Sequence, residues 1–382
     1  MKKIYLDNAA TTQMRNEVID RMTDVMKEFY GNPSSIHSYG RSSKSLVENA
    51  RKTVAGYLKV SASEIVFTSG GTEADNLVLN SAVRDLGVKR IITSRIEHHA
   101  VLYTVEQLKD CFQVEVVYVN LDKNGQVDLE HLEELLKASD EKTLVSLMHI
   151  NNEIGNLLDI HAVGNLCKTH NALFHCDTVQ SIGHYELDLS EIPVDFIAVS
   201  AHKFHGPKGV GFAFVRKNSG LKPLIFGGDQ ERGHRAGTES VHNIVGLEVA
   251  LKLAYDHLDK EREYITSIKN YFIGQLETEI PDVKFNGLCR DSNKSTYTLI
   301  NVCLPMSQEK ALMLLFQLDL KGIACSKGSA CQSGSDKGSH VLSAFLSDED
   351  LEKPSLRFSF SMNNTKEELD YVVSILKEFI EN

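Results

Sequence analysis

From about residue 60 to residue 215, short β-branched and aromatic runs alternate with stretches whose apolar positions fall three or four apart. This is the pattern of βα units around a mostly parallel sheet. The strand candidates are Glu64–Thr68, Arg90–Ser94, Val114–Val119, Thr143–His149, Leu173–Asp177, Phe196–Ser200 and Gly211–Val215. Helices are expected to begin near Thr72, His99, Asp128 and Asp159, and the last two are good N-cap types. Residues 242–280 read as one long or broken helix with loosely helical apolar spacing, a bridge out of the sheet region. Beyond it, an extended run over Thr296–Leu304, a helix over Ser307–Leu318, a strand over Ser355–Ser359 and a final helix over Thr365–Ile380 make a smaller α+β unit. No internal repeat is visible.

A chain of 382 residues exceeds the size at which a single core usually stops growing. The expected division is a large α/β domain over 16–259 with a mostly parallel seven-stranded sheet, and a small domain made of 1–15 and 260–382. With 42% hydrophobic and 24% charged residues the chain is ordinary globular material rather than disordered. The formal charge of −11 repels phosphate backbones and anionic lipid surfaces, so neither direct nucleic-acid binding nor membrane binding is expected. Seven cysteines, an odd number in a chain too long to need staples, fit a reducing compartment. The first residues lack the apolar core of a signal peptide, and no run approaches the roughly 18 apolar residues of a membrane span. A cytoplasmic location is expected.

One segment stands apart. From Cys325 to Ser339, eight of fifteen residues are Gly or Ser, too little apolar surface to hold a fixed position, so a mobile loop over 325–339 is expected. A plain surface linker would have the same composition, yet linkers rarely carry two cysteines.

Candidate chemistry gathers at strand ends, the edge where open α/β sheets bind ligands. Ser200-Ala201-His202-Lys203 is followed by His205-Gly206-Pro207-Lys208-Gly209, and a lysine so placed could form a Schiff base with an aldehyde cofactor. A lysine chosen at random is a solvated surface residue, so neighbours must decide. Asp177, ending the preceding strand, could pair with a protonated pyridine nitrogen, although alone it reads equally well as a helix cap. Ser69-Gly70-Gly71-Thr72 is a turn whose N–H groups and hydroxyl could cradle a phosphate; with no Gly-Lys-Ser/Thr after it, it is not a nucleotide P-loop. His98, in Glu97-His98-His99-Ala100, could lie flat on an aromatic ring, where a lone histidine is more often structural. Asn151-Asn152-Glu153 follows the next strand and brings amides to the same edge.

Together with Tyr5-Leu6-Asp7-Asn8-Ala9-Ala10-Thr11-Thr12, Gly31-Asn32-Pro33-Ser34-Ser35, His149-Ile150-Asn151-Asn152-Glu153-Ile154-Gly155 and Arg235-Ala236-Gly237-Thr238, these motifs resemble a cysteine desulfurase of the IscS/NifS type, on the class V aminotransferase fold that binds pyridoxal phosphate (PLP). The resemblance covers nearly the whole chain. Its most diagnostic piece is Gly328-Ser329-Ala330-Cys331, similar to the family's catalytic-cysteine loop and lacking in aminotransferases of the same fold. The resemblance implies that Lys203 anchors PLP, that Asp177 bonds its pyridine nitrogen, and that Gln180 and Asn152 contact the phenolic oxygen or the substrate. It implies that His98 stacks on the ring and moves protons, and that Gly71, Thr72, Ser200 and His202 hold the phosphate, joined by Thr238 from a neighbouring subunit of a homodimer. Arg357 would grip the carboxylate of L-cysteine. Cys331 would take the sulfur as a persulfide, leave alanine, and pass the sulfur to an acceptor such as an iron-sulfur scaffold or a tRNA-thiolation enzyme; Cys331 could thus touch an iron-sulfur cluster on that acceptor.

Cys325 departs from the family's usual pattern. A Cys-x₅-Cys pair lacks the further nearby ligands zinc would need, so no metal is expected and a harmless second thiol is the reading taken. Two rivals stand beside the desulfurase: a PLP-dependent aminotransferase or selenocysteine lyase on the same fold, and a catalytically silent protein that keeps the fold as a binding platform.

Overall fold

The computed structural model describes residues 3–307, 313–327 and 338–381. After a short strand β1 (Ile4–Tyr5), two helices, α1 (Asn16–Glu28) and α2 (Ser38–Leu58), lead into the βα alternation. Neither helix is anticipated by the strand-and-helix periodicity, which starts later in the chain. The alternation runs β2 (Ile65–Thr68), α3 (Gly71–Arg84), β3 (Arg90–Thr93), α4 (His99–Phe112), β4 (Glu115–Tyr118), α5 (Leu129–Lys137), β5 (Thr143–Ser146), α6 (Ile160–Thr169), β6 (Leu173–Asp177), β7 (Phe196–Ser200) and β8 (Gly211–Val215). These strands form one seven-stranded sheet in the order β2-β8-β7-β6-β5-β3-β4, parallel except for β8, which is antiparallel to both neighbours.

Apart from the partly exposed edge strand β4, the strands are buried and mostly apolar because helices cover both faces. Ile65 and Phe67 point into one core with α1, α2 and α6, whereas Val66 points into the opposite core with α3 and α4. The helix starts follow local chemistry. Asp128 accepts hydrogen bonds from the Glu130 and His131 N–H groups, and Asp159 accepts one from the Ala162 N–H at 2.9 Å.

The long helical stretch is broken: α7 (Val241–Asp256) and α8 (Leu258–Glu279) meet at His257, whose φ and ψ of −113° and 7° leave the helical region. A second sheet follows, β12 (Ser355–Ser359)-β10 (Leu299–Cys303)-β9 (Lys284–Asn286), antiparallel throughout. A two-stranded ribbon joins β1 to β11 (Ile323–Ala324) in parallel. The expected helix over Ser307–Leu318 is described from Leu314 to Leu320; its residues 308–312 lie outside the described residues. This part has its own core, in which Phe272 meets Phe358 and Phe360 edge-on at 5.2 and 5.9 Å. Ile4 and Leu6 belong to that core although they begin the chain.

Candidate active site

The carboxyl ends of β2, β5, β6 and β7, with the turn after β3, open on one cavity of about 240 Å³. Its wall includes ten of the twelve residues singled out from the sequence: Gly71, Thr72, His98, Asn152, Asp177, Gln180, Ser200, His202, Lys203 and Arg357. Thr238 is exposed and lines a different surface groove beside Met26 and Tyr30. Cys331 and the Gly328-Ser329-Ala330 before it lie outside the described residues.

At one end of the cavity α3 begins. Gly70 has φ of +151°, and a Cβ on Gly71 would come within 2.6 Å of Val179 Cγ2, so only glycine lets the helix start this close to the neighbouring turn. The first N–H groups of α3 lack partners within the helix and carry its positive dipole end, with Thr72, Ser200 and His202 around them. Glu73 steadies this turn, accepting from the Ser69 N–H at 2.8 Å and from Arg235 Nε at 2.9 Å. Burial, then the charge of Lys203, pushes the His202 imidazole down to about 4, so the ring is neutral, and its Nδ1 lies 3.1 Å from Thr11 Oγ1.

In the middle of the cavity Asp177 ends β6. It is 5% exposed, and its Oδ1 accepts the Val179 N–H at 2.9 Å. Burial first, and then the nearby Asp75 carboxyl, pushes its acid up to about 7. His98 caps α4, its Nδ1 accepting the Ala100 N–H at 3.1 Å, and burial pushes it down to about 4. The capped nitrogen fixes the ring's orientation, and the neutral imidazole is free of charge at physiological pH. Lys203 follows β7 in a single turn over Ala201–Lys203, with its Nζ donating to the Ala9 and Ala10 carbonyls at 2.5 and 2.8 Å. Gln180 Nε2 also donates to the Ala9 carbonyl, at 2.9 Å.

Arg357 reaches the cavity from β12. It is 1% exposed; one Nη donates to Asp7 Oδ1 and the other to the Asn152 carbonyl, both at 2.8 Å. Asp7 accepts in turn from Ser326 Oγ at 2.8 Å. The neighbouring Cys325 is partly buried, and burial with the Asp7 charge pushes its thiol well above the ordinary range.

Several wall residues carry no role in the sequence reading. The carbonyls of Ala9 and Ala10 act through the backbone, which no side-chain pattern reveals. Asp75 was legible in principle, since it falls one turn after Gly71 on the same face of α3. Asp7 holds Arg357 across 350 positions of sequence, a pairing that spacing cannot disclose.

Residues 4–372 match the model of the aminotransferase class-V family. The chain is similar to the cysteine desulfurase IscS of Dictyoglomus turgidum, with 41% identity over 382 residues that cover 100% of this chain and 95% of that one. Among solved structures it is similar to a NifS-like protein, with a TM-score of 0.90, 34% identity and full coverage of both chains. It is also similar to SspA in complex with cysteine, with a TM-score of 0.82, 31% identity and 95% and 100% coverage of the two chains.

Proposed function

Since the chain belongs to the aminotransferase class-V family, we propose that it is a PLP-dependent cysteine desulfurase, which turns L-cysteine into L-alanine and keeps the sulfur on its own thiol as a persulfide. The observation that carries this reading is the convergence of Lys203, His98, Asp177 and Arg357 on a single cavity beside the start of α3.

The residues fit the cofactor. A phosphate suits the glycine-only approach at Gly71 and the helix start behind it. A cationic ring nitrogen suits Asp177, a buried carboxyl with no basic side chain at ion-pair distance among the described residues. An aldehyde suits Lys203, the one lysine on this wall among the described residues. When bound, PLP supplies an electron sink that drains charge from the substrate Cα and then Cβ.

The protein supplies the rest. Arg357, anchored by Asp7 and by the Asn152 carbonyl, has N–H groups left to receive the substrate carboxylate. That contact fixes the amino acid with its Cα toward Lys203, whose amine takes the Cα proton once released from its covalent role. His98, neutral and oriented by its cap, would lie against the ring and pass protons near the sulfur. The Cys331 thiolate attacks the substrate sulfur as the Cβ–S bond breaks and the electron pair returns toward Cβ, leaving alanine.

The SspA complex with cysteine supports L-cysteine as the substrate. The sulfur goes on to an acceptor protein, an iron-sulfur scaffold or a tRNA-thiolation enzyme, and the enzyme works as a cytoplasmic homodimer in which Thr238 completes the neighbour's phosphate site. Among the described residues no helix is long and apolar enough to cross a membrane. The test is an assay of the purified protein with L-cysteine and a reductant, measuring alanine and sulfide together. Equal amounts of both are expected; a keto acid in place of alanine would make it an aminotransferase.

A further inference from the structure

The short turn that carries Lys203 is gripped through its backbone from two sides. On one side lies the beginning of the chain: Thr12 donates through its N–H and its hydroxyl to the His202 carbonyl, each at 2.9 Å, and its Oγ1 accepts the His205 N–H at 2.7 Å. On the other side lies the segment that leaves Asp177, and it grips through a histidine that the reaction above does not use. His184 Nε2 lies 3.1 Å from the Lys203 carbonyl oxygen. A carbonyl can only accept, so Nε2 carries the proton and donates it; the partner itself settles the tautomer.

The path from Asp177 to His184 is stiff. Thr178 Oγ1 donates to the Ala198 carbonyl of β7 at 3.0 Å, and the Ser181, Ile182, His184 and Tyr185 N–H groups close successive turns within the segment. Gly183 has φ of +83°, and a Cβ on it would come within 2.5 Å of Phe204 Cβ, so this turn lies directly against the residue after Lys203. His184 is held in its turn by Tyr297, just before β10. The Tyr297 hydroxyl donates to the His184 carbonyl at 3.1 Å and also lies 3.4 Å from His184 Nδ1. Tyr297 is buried, and the Arg262 guanidinium lies over its ring, 5.6 Å from the centroid. A pyridoxal ring carries its nitrogen and its aldehyde carbon on opposite sides, so the carboxyl that meets one and the amine that meets the other must stand a fixed distance apart.

We propose that His184 is a positioning residue for Lys203: its Nε2–H holds the Lys203 carbonyl and so fixes the anchoring lysine relative to Asp177. This rests on the reading of the cavity as a PLP site. Without that donor the turn samples other positions, and the cofactor attaches only during the fraction of time spent in the productive one. Glutamine places an amide N–H where Nε2 stands, whereas asparagine reaches only as far as Nδ1. His184→Gln therefore keeps the bond and His184→Asn loses it.

The test mixes cofactor-free protein with stoichiometric PLP, quenches with borohydride at intervals and follows covalent attachment by intact mass. Alanine formation by the loaded protein is then measured over a range of cysteine concentrations. His184→Gln should attach PLP within about threefold of the wild-type rate, and His184→Asn about tenfold more slowly, the effect of taking one donor from a partly buried carbonyl. In His184→Asn, kcat should fall by about the same tenfold while KM for L-cysteine stays within about twofold, because Arg357 holds the carboxylate from a different element. If His184→Asn does not fold, Tyr297→Phe decides: it removes the hydroxyl that holds His184 and should slow attachment about threefold, and an unchanged rate overturns the proposal. The proposal is also overturned if His184→Asn attaches PLP at the wild-type rate, or if His184→Gln is as slow as His184→Asn, which would leave His184 a packing residue only. A wild type that takes up no PLP at all would instead overturn the cofactor reading.

Discussion

Arg357→Lys keeps the positive charge in the substrate end of the cavity and removes only the fork. In the wild type two of the guanidinium nitrogens are committed, one to Asp7 and one to the Asn152 carbonyl, each at 2.8 Å. A guanidinium has five N–H donors, so three remain for a carboxylate; an ammonium has three in all. Lysine must therefore give up Asp7, the Asn152 carbonyl or one arm of the substrate carboxylate. Losing one charge-assisted hydrogen bond costs about 1.5–3 kcal/mol, or about 10–150-fold in affinity. That loss should fall mainly on KM for L-cysteine, because the carboxylate is held equally before and during bond breaking. PLP binding should be unchanged, since Arg357 bonds Asp7 and the Asn152 carbonyl and, among the described residues, makes no hydrogen bond to the groups at the start of α3, to Asp177 or to Lys203. Steady-state alanine formation over a range of cysteine concentrations separates the two parameters. A KM unchanged within about twofold, where even one lost charge-assisted bond implies about tenfold, would refute the assignment of Arg357 as the carboxylate clamp.

Lys203→Ala should abolish both turnover and the visible absorbance of the bound cofactor, read by spectrophotometry; alanine formed at the wild-type rate would exclude Lys203 as the anchor. Cys331→Ser should still bind PLP and L-cysteine but release almost no alanine or sulfide, while Cys325→Ser keeps most activity, since burial makes the Cys325 thiol a poor source of thiolate. Intact-mass measurement after brief exposure to cysteine should find one added sulfur, and finding it on Cys325 would reverse the assignment. The cofactor-free protein should lose stability as pH rises from about 4 toward 7, because Asp177, raised from 3.8 to about 7, holds its proton in the fold and loses it in the unfolded chain. Asp177→Asn should flatten part of that slope in denaturant titrations at several pH values; an unchanged slope would place the buried proton elsewhere. Sedimentation should find a homodimer, and a fully active monomer would exclude a role for Thr238 in a neighbour's site.

The sheet and its ligand-binding edge were legible because buried parallel strands leave long apolar runs that end abruptly in polar groups, as at Asp177 and Ser200. Helices α1 and α2 were not, because they precede the alternation that gives the strands their context. The break at His257 left only a loosened apolar phase as its trace, which a continuous amphipathic helix can also show. In the site, residues that follow a strand directly could be placed, Lys203 and His98 among them. Those that act across the fold could not: Asp7 meets Arg357 only once β1 has paired with β11 and β12 lies alongside.

That last pairing shows what joins the two halves of the site. Lys203 follows β7 of the seven-stranded sheet, whereas Arg357 belongs to the separate three-stranded one, and under the proposed function a substrate touches both. The segment from Ile4 to Thr12 runs between them. At its start, the Ile4 and Leu6 N–H groups donate to Gly322 and Ala324, both at 2.8 Å, and the Ser359 N–H donates to the Leu6 carbonyl at 2.8 Å. In the next two residues, Asp7 takes Arg357 and Asn8 bonds the Ser359 carbonyl. Then the direction changes: the Ala9 and Ala10 carbonyls receive Lys203, and Thr12 donates through both its N–H and its hydroxyl to the His202 carbonyl, each at 2.9 Å. The distance between amine and guanidinium is thus set by a few consecutive residues fixed at both ends. A shift of one residue in the pairing of β1 with β11 would send alternate side chains to the opposite face, moving Leu6 out of its core and Asp7 away from Arg357. The apolar anchoring of Ile4 and Leu6 therefore positions the proposed substrate clamp, although neither side chain lines the cavity.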